Sequence, residues 1–200
     1  MLDFGGVVLR TPFELLDELD LGLPWQGPFG GDSLWADLEV GVLTEREYWA
    51  RRAAEVGLTA PELMQRLYDA PEERLIRSGA ARLLADATAA GLRTAFLTND
   101  LEAFHGRAWA KRLRILHAVD AVIDGSVTGV LKPNPAAYAL ALDQLGLPAQ
   151  AALFVDDLPV NLQGARRTGM AVELFDVTDP EASLARIRAR LGLGLGLGLG

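Results

Sequence analysis

The chain is predicted to be an α/β protein, a three-layer sandwich in which a central parallel sheet is covered by helices on both faces. Two observations predict it. From Ser78 onward, short apolar runs alternate with helical patterns, and strands buried on both faces read as continuous apolar runs. Polar residues also stand at four predicted strand ends along the whole chain, the first at Asp3, at the carboxyl ends where open α/β sheets gather their chemistry. A second texture, helical and richer in charge, fills Thr11 to about Arg77 before the alternation begins. At 200 residues there is room for one generous domain or for a core with an insertion.

Each element has its own signal. Met1 to Leu9 reads as the end of a strand breaking into a glycine turn at Gly5-Gly6. Thr44-Glu45-Arg46-Glu47 is a capping box ahead of Tyr48, Trp49 and Ala53, and Gly57 ends that helix. Thr59-Ala60-Pro61-Glu62 opens another helix that runs through Tyr68, with proline at an early position. A helix from Gly79 to Ala90 stops at Gly91, and Arg93 to Leu97 follows as a buried strand. One helix through Trp109 leads to a strand near Ala121-Val122-Ile123. After the Lys132-Pro133-Asn134-Pro135 loop come a helix from Ala136 to Leu145, a strand from Ala151 to Val155, a helix from Asn161 to Thr168, a strand from Met170 to Phe175 and a helix from Pro180 to Leu191. Alternate glycines penalise helix in the closing Leu-Gly repeat, so 191–200 reads as a disordered tail.

Composition narrows the chemistry. Half the residues are apolar and 23% are charged, the balance of an ordinary globular protein. Nineteen basic against twenty-seven acidic residues give a net charge of −8, which argues against nucleic acid or an anionic membrane as partner, since both need a positive field. The absence of cysteine removes disulfides, thiolate nucleophiles and thiolate-ligated metals. Two histidines, His105 and His117, cannot form a multi-histidine site, so any metal is held by oxygen and is a hard ion such as magnesium. No apolar run approaches a membrane span and no basic leader precedes Asp3, which makes the cytoplasm the expected location.

Four polar groups follow the apolar runs: Asp3, Thr98-Asn99, Lys132 and Asp156-Asp157. Singly, each has a plain explanation as a helix cap or a solvated side chain. Together they bring three carboxylates, a hydroxyl and an ammonium to one sheet edge, a set able to bind a divalent cation and an anion and to offer an oxygen nucleophile.

Asp3-Phe4-Gly5-Gly6-Val7, Leu97-Thr98-Asn99, Lys132-Pro133-Asn134-Pro135 with Tyr138, and Phe154-Val155-Asp156-Asp157 through Asn161, Gly164-Ala165 and Gly169 resemble the four ordered motifs of the haloacid dehalogenase-like hydrolase superfamily. The resemblance spans nearly the whole chain. It is nearest to the branch that holds the soluble epoxide hydrolase N-terminal domain and glucose-1-phosphatase-like proteins, with a cap of subclass I. It implies a Rossmann-like core over residues 1–10 and 78–190 with a helical cap inserted at 11–77. The implied activity is that of a magnesium-dependent phosphatase acting on a small phosphorylated metabolite, as monomer or homodimer. Asp3 is then the nucleophile that forms an aspartyl-phosphate. Asp3, the carbonyl of Gly5 and Asp157 hold magnesium, with Asp156 behind them or reached through water. Thr98 and the Asn99 backbone N–H hold phosphoryl oxygens, Lys132 neutralises developing charge, and Asn161 orients its loop.

Two departures from the family pattern bear on activity. Such phosphatases usually carry a second aspartate two residues after the nucleophile, which protonates the leaving group and later activates water. Here that position is Gly5. General acid–base catalysis supplies about a hundred- to ten-thousand-fold, so the chain is either slow, confined to good leaving groups, or supplied with an acid by the cap or the substrate. Within the cap, Asp17, Glu18 and Glu39 are candidates. The other departure is the start. Only Met1 and Leu2 precede Asp3, either a stub of a strand or a true start further upstream, and a stub would place the α-amino charge near the nucleophile.

Two alternatives stand beside the phosphatase. A 2-haloacid dehalogenase uses the same aspartate on carbon without metal, although the paired Asp156-Asp157 favours metal. A catalytically weak phosphate-binding or regulatory module would keep the site and lack the acid. Trp25, Trp35 and Trp49 are expected mainly as the cap's small core, and His105 and His117 as structural or solvated residues.

Overall fold

The computed structural model describes residues 1–19 and 23–194. Four short parallel strands carry the sheet: β1 (Ala95–Thr98), β2 (Ala121–Asp124), β3 (Leu153–Asp156) and β4 (Ala171–Leu174). β1 pairs with β2, and β3 with β4. Residues 1–3 join the two pairs, because Leu2 bridges in parallel to both Phe96 and Val155. The order across the sheet is therefore β2, β1, residues 1–3, β3, β4, which puts the first motif at the centre. The Met1 α-amino group donates to the Leu153 carbonyl at 2.8 Å, at the start of β3. Asp3 lies level with the end of that strand, its N–H on the Val155 carbonyl at 2.8 Å. Burial lowers the amino group to about 6, which weakens its positive charge beside Asp3 near neutral pH.

Side chains alternate between the faces as a period of two requires. Phe96 and Val155 join Leu83, Leu84 and Ile187 on one face. Ala95, Leu97 and Phe154 join Tyr138, Leu142 and Leu162 on the other. The helices follow in chain order: α1 (Pro12–Leu19), α2 (Ser33–Glu39), α3 (Glu45–Glu55), α4 (Ala60–Leu67), α5 (Glu72–Leu75), α6 (Ser78–Ala89), α7 (Leu101–His105), α8 (Arg107–Ala110), α9 (Gly125–Thr128), α10 (Pro135–Leu145), α11 (Pro159–Arg167) and α12 (Pro180–Arg190). α6 and α12 cover the first face and α10 and α11 the second, completing the three layers.

Differences from the sequence reading are local. The single helix expected through Trp109 is two, broken where Gly106 takes φ +81. A turn of helix, α9, follows β2, started by the Asp124 side chain accepting from the Ser126 N–H at 2.9 Å. The strands end one residue later than read in β1, β2 and β3, so that Thr98, Asp124 and Asp156 are themselves terminal strand residues.

The helical segment α1–α5 leaves and rejoins the sheet at one place. Arg10 donates its N–H to the Leu75 carbonyl, Arg77 donates to that of Val8, each at 2.9 Å, and Leu9 bridges Ile76. Its aromatic side chains Phe13, Trp35, Tyr48 and Trp49 pack edge to face or tilted at centroid distances of 5.0–6.2 Å. They belong to the same apolar cluster as Phe4 and Val8 of the first motif. Leu191 and Leu193 also pack on this cluster, while the remainder of the Leu-Gly tail, from 195, lies outside the described residues. No helix among the described residues is long and apolar enough to cross a membrane.

Candidate active site

The topology carries the four motifs to one end of the sheet. Asp3 ends the central segment, Thr98 ends β1, Asp156 ends β3, and Lys132 stands on the loop that leads into α10. Asp3, Thr98, Lys132 and Asp156 are all buried. A buried charge needs a partner, and here the partners are each other. Lys132 Nζ lies 2.7 Å from Asp3 Oδ1 and 2.7 Å from Asp156 Oδ2.

The two adjacent aspartates have different surroundings. Asp156 Oδ1 accepts from the Leu158 N–H at 2.9 Å, and Asn161 Nδ2 donates to both of its oxygens at 3.1 Å. With Lys132 added, the Asp156 carboxylate is fully engaged. Among the described residues nothing donates a hydrogen bond to the Asp157 carboxyl. One oxygen from each of Asp3, Asp156 and Asp157 lies within 4.8 Å of the others. Burial raises the Asp3 carboxyl to about 7, against the pull of Lys132 and with Asp156 adding to the rise. Burial also holds Asp157 well above the usual carboxylate range, reinforced by Asp156 and Asp3. One lysine thus faces an excess of carboxylates in a dry place. A hard divalent ion relieves that imbalance, and the oxygen donors suit magnesium.

Glycine makes the approach of Asp157 possible. Gly6 has φ +71, and a Cβ there would stand 2.3 Å from Asp157 Oδ2. Gly5 has neither constraint, since a Cβ there would meet nothing within 4 Å. Its carbonyl accepts the Val7 N–H at 2.8 Å and keeps a second lone pair.

Support for Lys132 comes from Asn99, whose Oδ1 accepts the Lys132 N–H at 2.7 Å while its Nδ2 donates to the Lys132 carbonyl at 3.1 Å. The Asn99 side chain is thereby committed to the loop, leaving its backbone N–H for a ligand. Tyr138 donates to the Asn161 carbonyl at 2.6 Å. A Cβ on Gly164 would meet that hydroxyl at 2.6 Å, so glycine lets α11 close on the loop. The Thr98 hydroxyl makes no hydrogen bond among the described residues.

The space above Asp3 is bounded by the helical segment. A cavity of about 60 Å³ is lined by Asp3, Gly6, Glu45, Trp49, His105 and Asp157, among others. A smaller one of about 30 Å³ adjoins Asp3, Glu45, Thr98, Asp100 and His105. Glu45 and His105 line both, and neither stood out in the sequence as a site residue. The candidates Asp17, Glu18 and Glu39 line neither. Glu18 pairs with Arg10 and Arg74, and Glu39 accepts from the Trp35 indole at 3.0 Å. Burial lifts the half-buried Glu45 carboxyl to about 8, with Asp100 and Asp3 pushing the same way. His105 stacks on Trp109 at 4.3 Å with its Nδ1 unpartnered, and burial lowers it to about 3. It is structural, as expected, and it also faces the site. Trp35 and Trp49 are both core and cavity wall, while the Trp25 indole donates to Glu55 at 2.7 Å. Arg46, next to Glu45, pairs with the buried Asp100 and ties α3 to the loop after β1.

Residues 26–169 match the family model described as haloacid dehalogenase-like hydrolase. The chain is 28% identical over 202 residues to acyl-CoA dehydrogenase family member 10 of Mus musculus, covering 94% of this chain and 18% of that protein. It is 29% identical over 178 residues to a phosphoglycolate phosphatase of Yersinia pseudotuberculosis, covering 84% and 75% respectively. The chain spans less than half the length of the first two curated relatives it matches. The crystal structure of a dehalogenase superposes with a TM-score of 0.67 at 19% identity over 94% of both chains, a likeness of fold.

Proposed function

The chain belongs to the haloacid dehalogenase-like hydrolase family, and from that premise we propose that this hydrolase is a magnesium-dependent phosphatase, acting on a small phosphorylated metabolite through an aspartyl-phosphate on Asp3. The observation that carries the reading is the cluster of Asp3, Asp156 and Asp157 oxygens within 4.8 Å, with Lys132 Nζ 2.7 Å from Asp3. A carboxylate beside a cation site suits phosphoryl transfer, where charge on the phosphoryl oxygens must be offset, and displacement of halide from carbon needs no such cluster. The phosphatase relative from Yersinia supports the same direction.

Magnesium would be held by Asp3, the Gly5 carbonyl and Asp157, with Asp156 behind them, and when bound it supplies positive charge to the phosphoryl oxygens. The protein's own groups do the rest. Asp3 attacks phosphorus. Lys132 offsets the charge that Asp3 and the phosphoryl group share, a contribution enlarged by the dry site. The Thr98 hydroxyl and the Asn99 N–H hold the phosphoryl oxygens. Asp156 and Asn161 fix Lys132 in place. The helical segment 11–77 acts as the cap that excludes water, and the small cavity beneath it suits a small substrate.

The test is phosphate release from a panel of phosphorylated metabolites with and without magnesium, beside halide release from chloroacetate. Magnesium-dependent phosphate release that Asp3→Asn abolishes is the expected result. Metal-independent halide release would falsify the assignment, as would an Asp3→Asn protein that still turns over.

A further inference from the structure

We propose that Glu45, carried by the helical segment rather than the sheet, is the general acid and base of the reaction. The inference rests on the phosphatase reading above and deepens it. As phosphorus accepts the Asp3 oxygen, the bond to the leaving oxygen breaks and its electron pair stays on that oxygen. Glu45 gives it a proton, so an alcohol departs and Glu45 becomes a carboxylate. Water then attacks phosphorus and Glu45 takes its proton. The bond between phosphorus and Asp3 breaks, its electron pair returns to the Asp3 carboxylate, and phosphate leaves. The sum is phosphate ester plus water giving alcohol plus phosphate, with both side chains restored.

Position is the first argument. Gly5 places no side chain in the site, and Glu45 lines both cavities that open on Asp3. The second is that Glu45 is not committed elsewhere. It lies outside the group of ligand oxygens formed by Asp3, Asp156 and Asp157, and nothing among the described residues hydrogen-bonds to its carboxyl. The third is that it is held. Glu45 is the first residue of α3, directly after Thr44, whose hydroxyl accepts the Glu47 N–H at 3.2 Å while Glu47 accepts the Thr44 N–H at 2.8 Å. The next residue, Arg46, is anchored on Asp100, and Tyr48 and Trp49 bury the following turn.

Other groups facing this space are less suited. Asp100 is engaged by Arg46, Lys132 by Asp3 and Asp156, and the Tyr68 hydroxyl donates to the Arg10 carbonyl at 2.7 Å. His105 is buried against Trp109 and uncharged near neutral pH, so it has no acidic imidazolium proton to give. Asp3, Asp100 and Asp156 all oppose ionisation of Glu45, and Lys132 alone favours it. Burial and these charges favour the protonated carboxyl, the form that can give a proton to a leaving oxygen.

Glu45→Gln changes the acid and almost nothing else in size. Its turnover of an alkyl phosphate is expected to fall about 100- to 10,000-fold. With p-nitrophenyl phosphate, whose leaving group needs no proton, it is expected to release one equivalent of p-nitrophenolate in a burst close to the wild-type rate. Equal loss in burst and alkyl turnover overturns the proposal, because misfolding or lost binding would do that. Undiminished alkyl turnover overturns it as well. The wild type tests it without any variant: kcat/KM should depend only weakly on leaving-group pKa, and a steep dependence means that no acid acts. If the wild type releases phosphate from neither ester, the phosphatase reading itself fails and this inference falls with it.

Discussion

Gly6→Ala separates the cost of a strained turn from the loss of a ligand. Gly6 holds φ +71, and the left-handed region costs an L-residue with a Cβ about 1–2 kcal/mol. For a chain of this size that corresponds to a melting temperature lowered by roughly 2–8 °C. The added methyl would also stand 2.3 Å from Asp157 Oδ2 and 2.7 Å from its Cγ. Ordinary contact lies near 3.4 Å or beyond, so the carboxyl must retreat by roughly 1 Å, a displacement of the size that disables a site. Magnesium affinity should fall by about 10–100-fold or more, the loss typical of disturbing even a ligand's support. Titration calorimetry with magnesium, beside thermal melts of the metal-free protein, reads the two effects apart. Gly5→Ala is the contrast for the melts: nothing lies within 4 Å of its Cβ position, and it should melt at or above the wild-type temperature. Wild-type magnesium affinity in Gly6→Ala would refute the placement of Asp157 as a ligand.

Two more outcomes follow from the buried charges. Lys132→Met leaves Asp3 and Asp156 without their cation, and removing one partner of a buried pair costs about 3–5 kcal/mol. Urea unfolding should show that loss, smaller near pH 5 than near pH 8, because the buried Asp3 carboxyl, already raised to about 7, is protonated in acid; an unchanged midpoint at both would count against the pair. For the wild type, Asp3 holds its proton to about 7 and Glu45 to about 8, and Asp157 and Asp100 are raised as well. The unfolded chain releases these protons near the ordinary carboxylate range, so between there and about pH 8 the folded protein binds more protons and its stability falls as pH rises. His105 opposes this below its ordinary value of 6.5, and the Met1 amino group between about 6 and 8, one group against several carboxyls in each window. Metal-free melting temperatures should therefore drop from near pH 5 to near pH 8, and the rise produced by magnesium should grow over the same span. A magnesium effect equal at both ends would contradict the carboxylate crowding.

The layers of the fold were legible because each depends on a short stretch of chain. Continuous apolar runs such as Ala95-Phe96-Leu97 and Leu153-Phe154-Val155 identify strands buried on both faces, and glycine stops such as Gly91 and Gly146 close helices where a left-handed residue is needed. The central position of residues 1–3 was legible only in part. Three residues carry no periodicity, and their place is fixed by pairing with β1 and β3, which are far away in sequence. The break at Gly106 and the turn α9 are not legible in the sequence for a similar reason. A single glycine inside a helical pattern, or an aspartate that can cap, leaves the local preference undecided.

The core half of the site was legible and the cap half was not, and the difference is physical. Asp3, Thr98 and Asp156-Asp157 converge because parallel strands all end at one edge, so a residue at a strand end is already placed, and Lys132 joins them on the loop before α10, held by Asn99. No such rule places a residue of the helical segment. Glu45 looks fully explained in the sequence, since an acidic residue in the first turn of a capped helix is favoured by the helix dipole alone. That local reason is satisfied in the structure, where the capping box forms, and it says nothing of which way the side chain faces. The direction comes from Tyr48 and Trp49 burying the next turn and from Arg46 reaching Asp100 on the sheet side. On the proposed assignment, Asp3 on the sheet and Glu45 on the insertion act together only when the two parts are packed. Gly5 is consistent with that division of labour. Its Cβ position is open, so sterics do not exclude a side chain there, and the proposal gives the proton-transfer role to a residue whose position depends on the helical segment being in place.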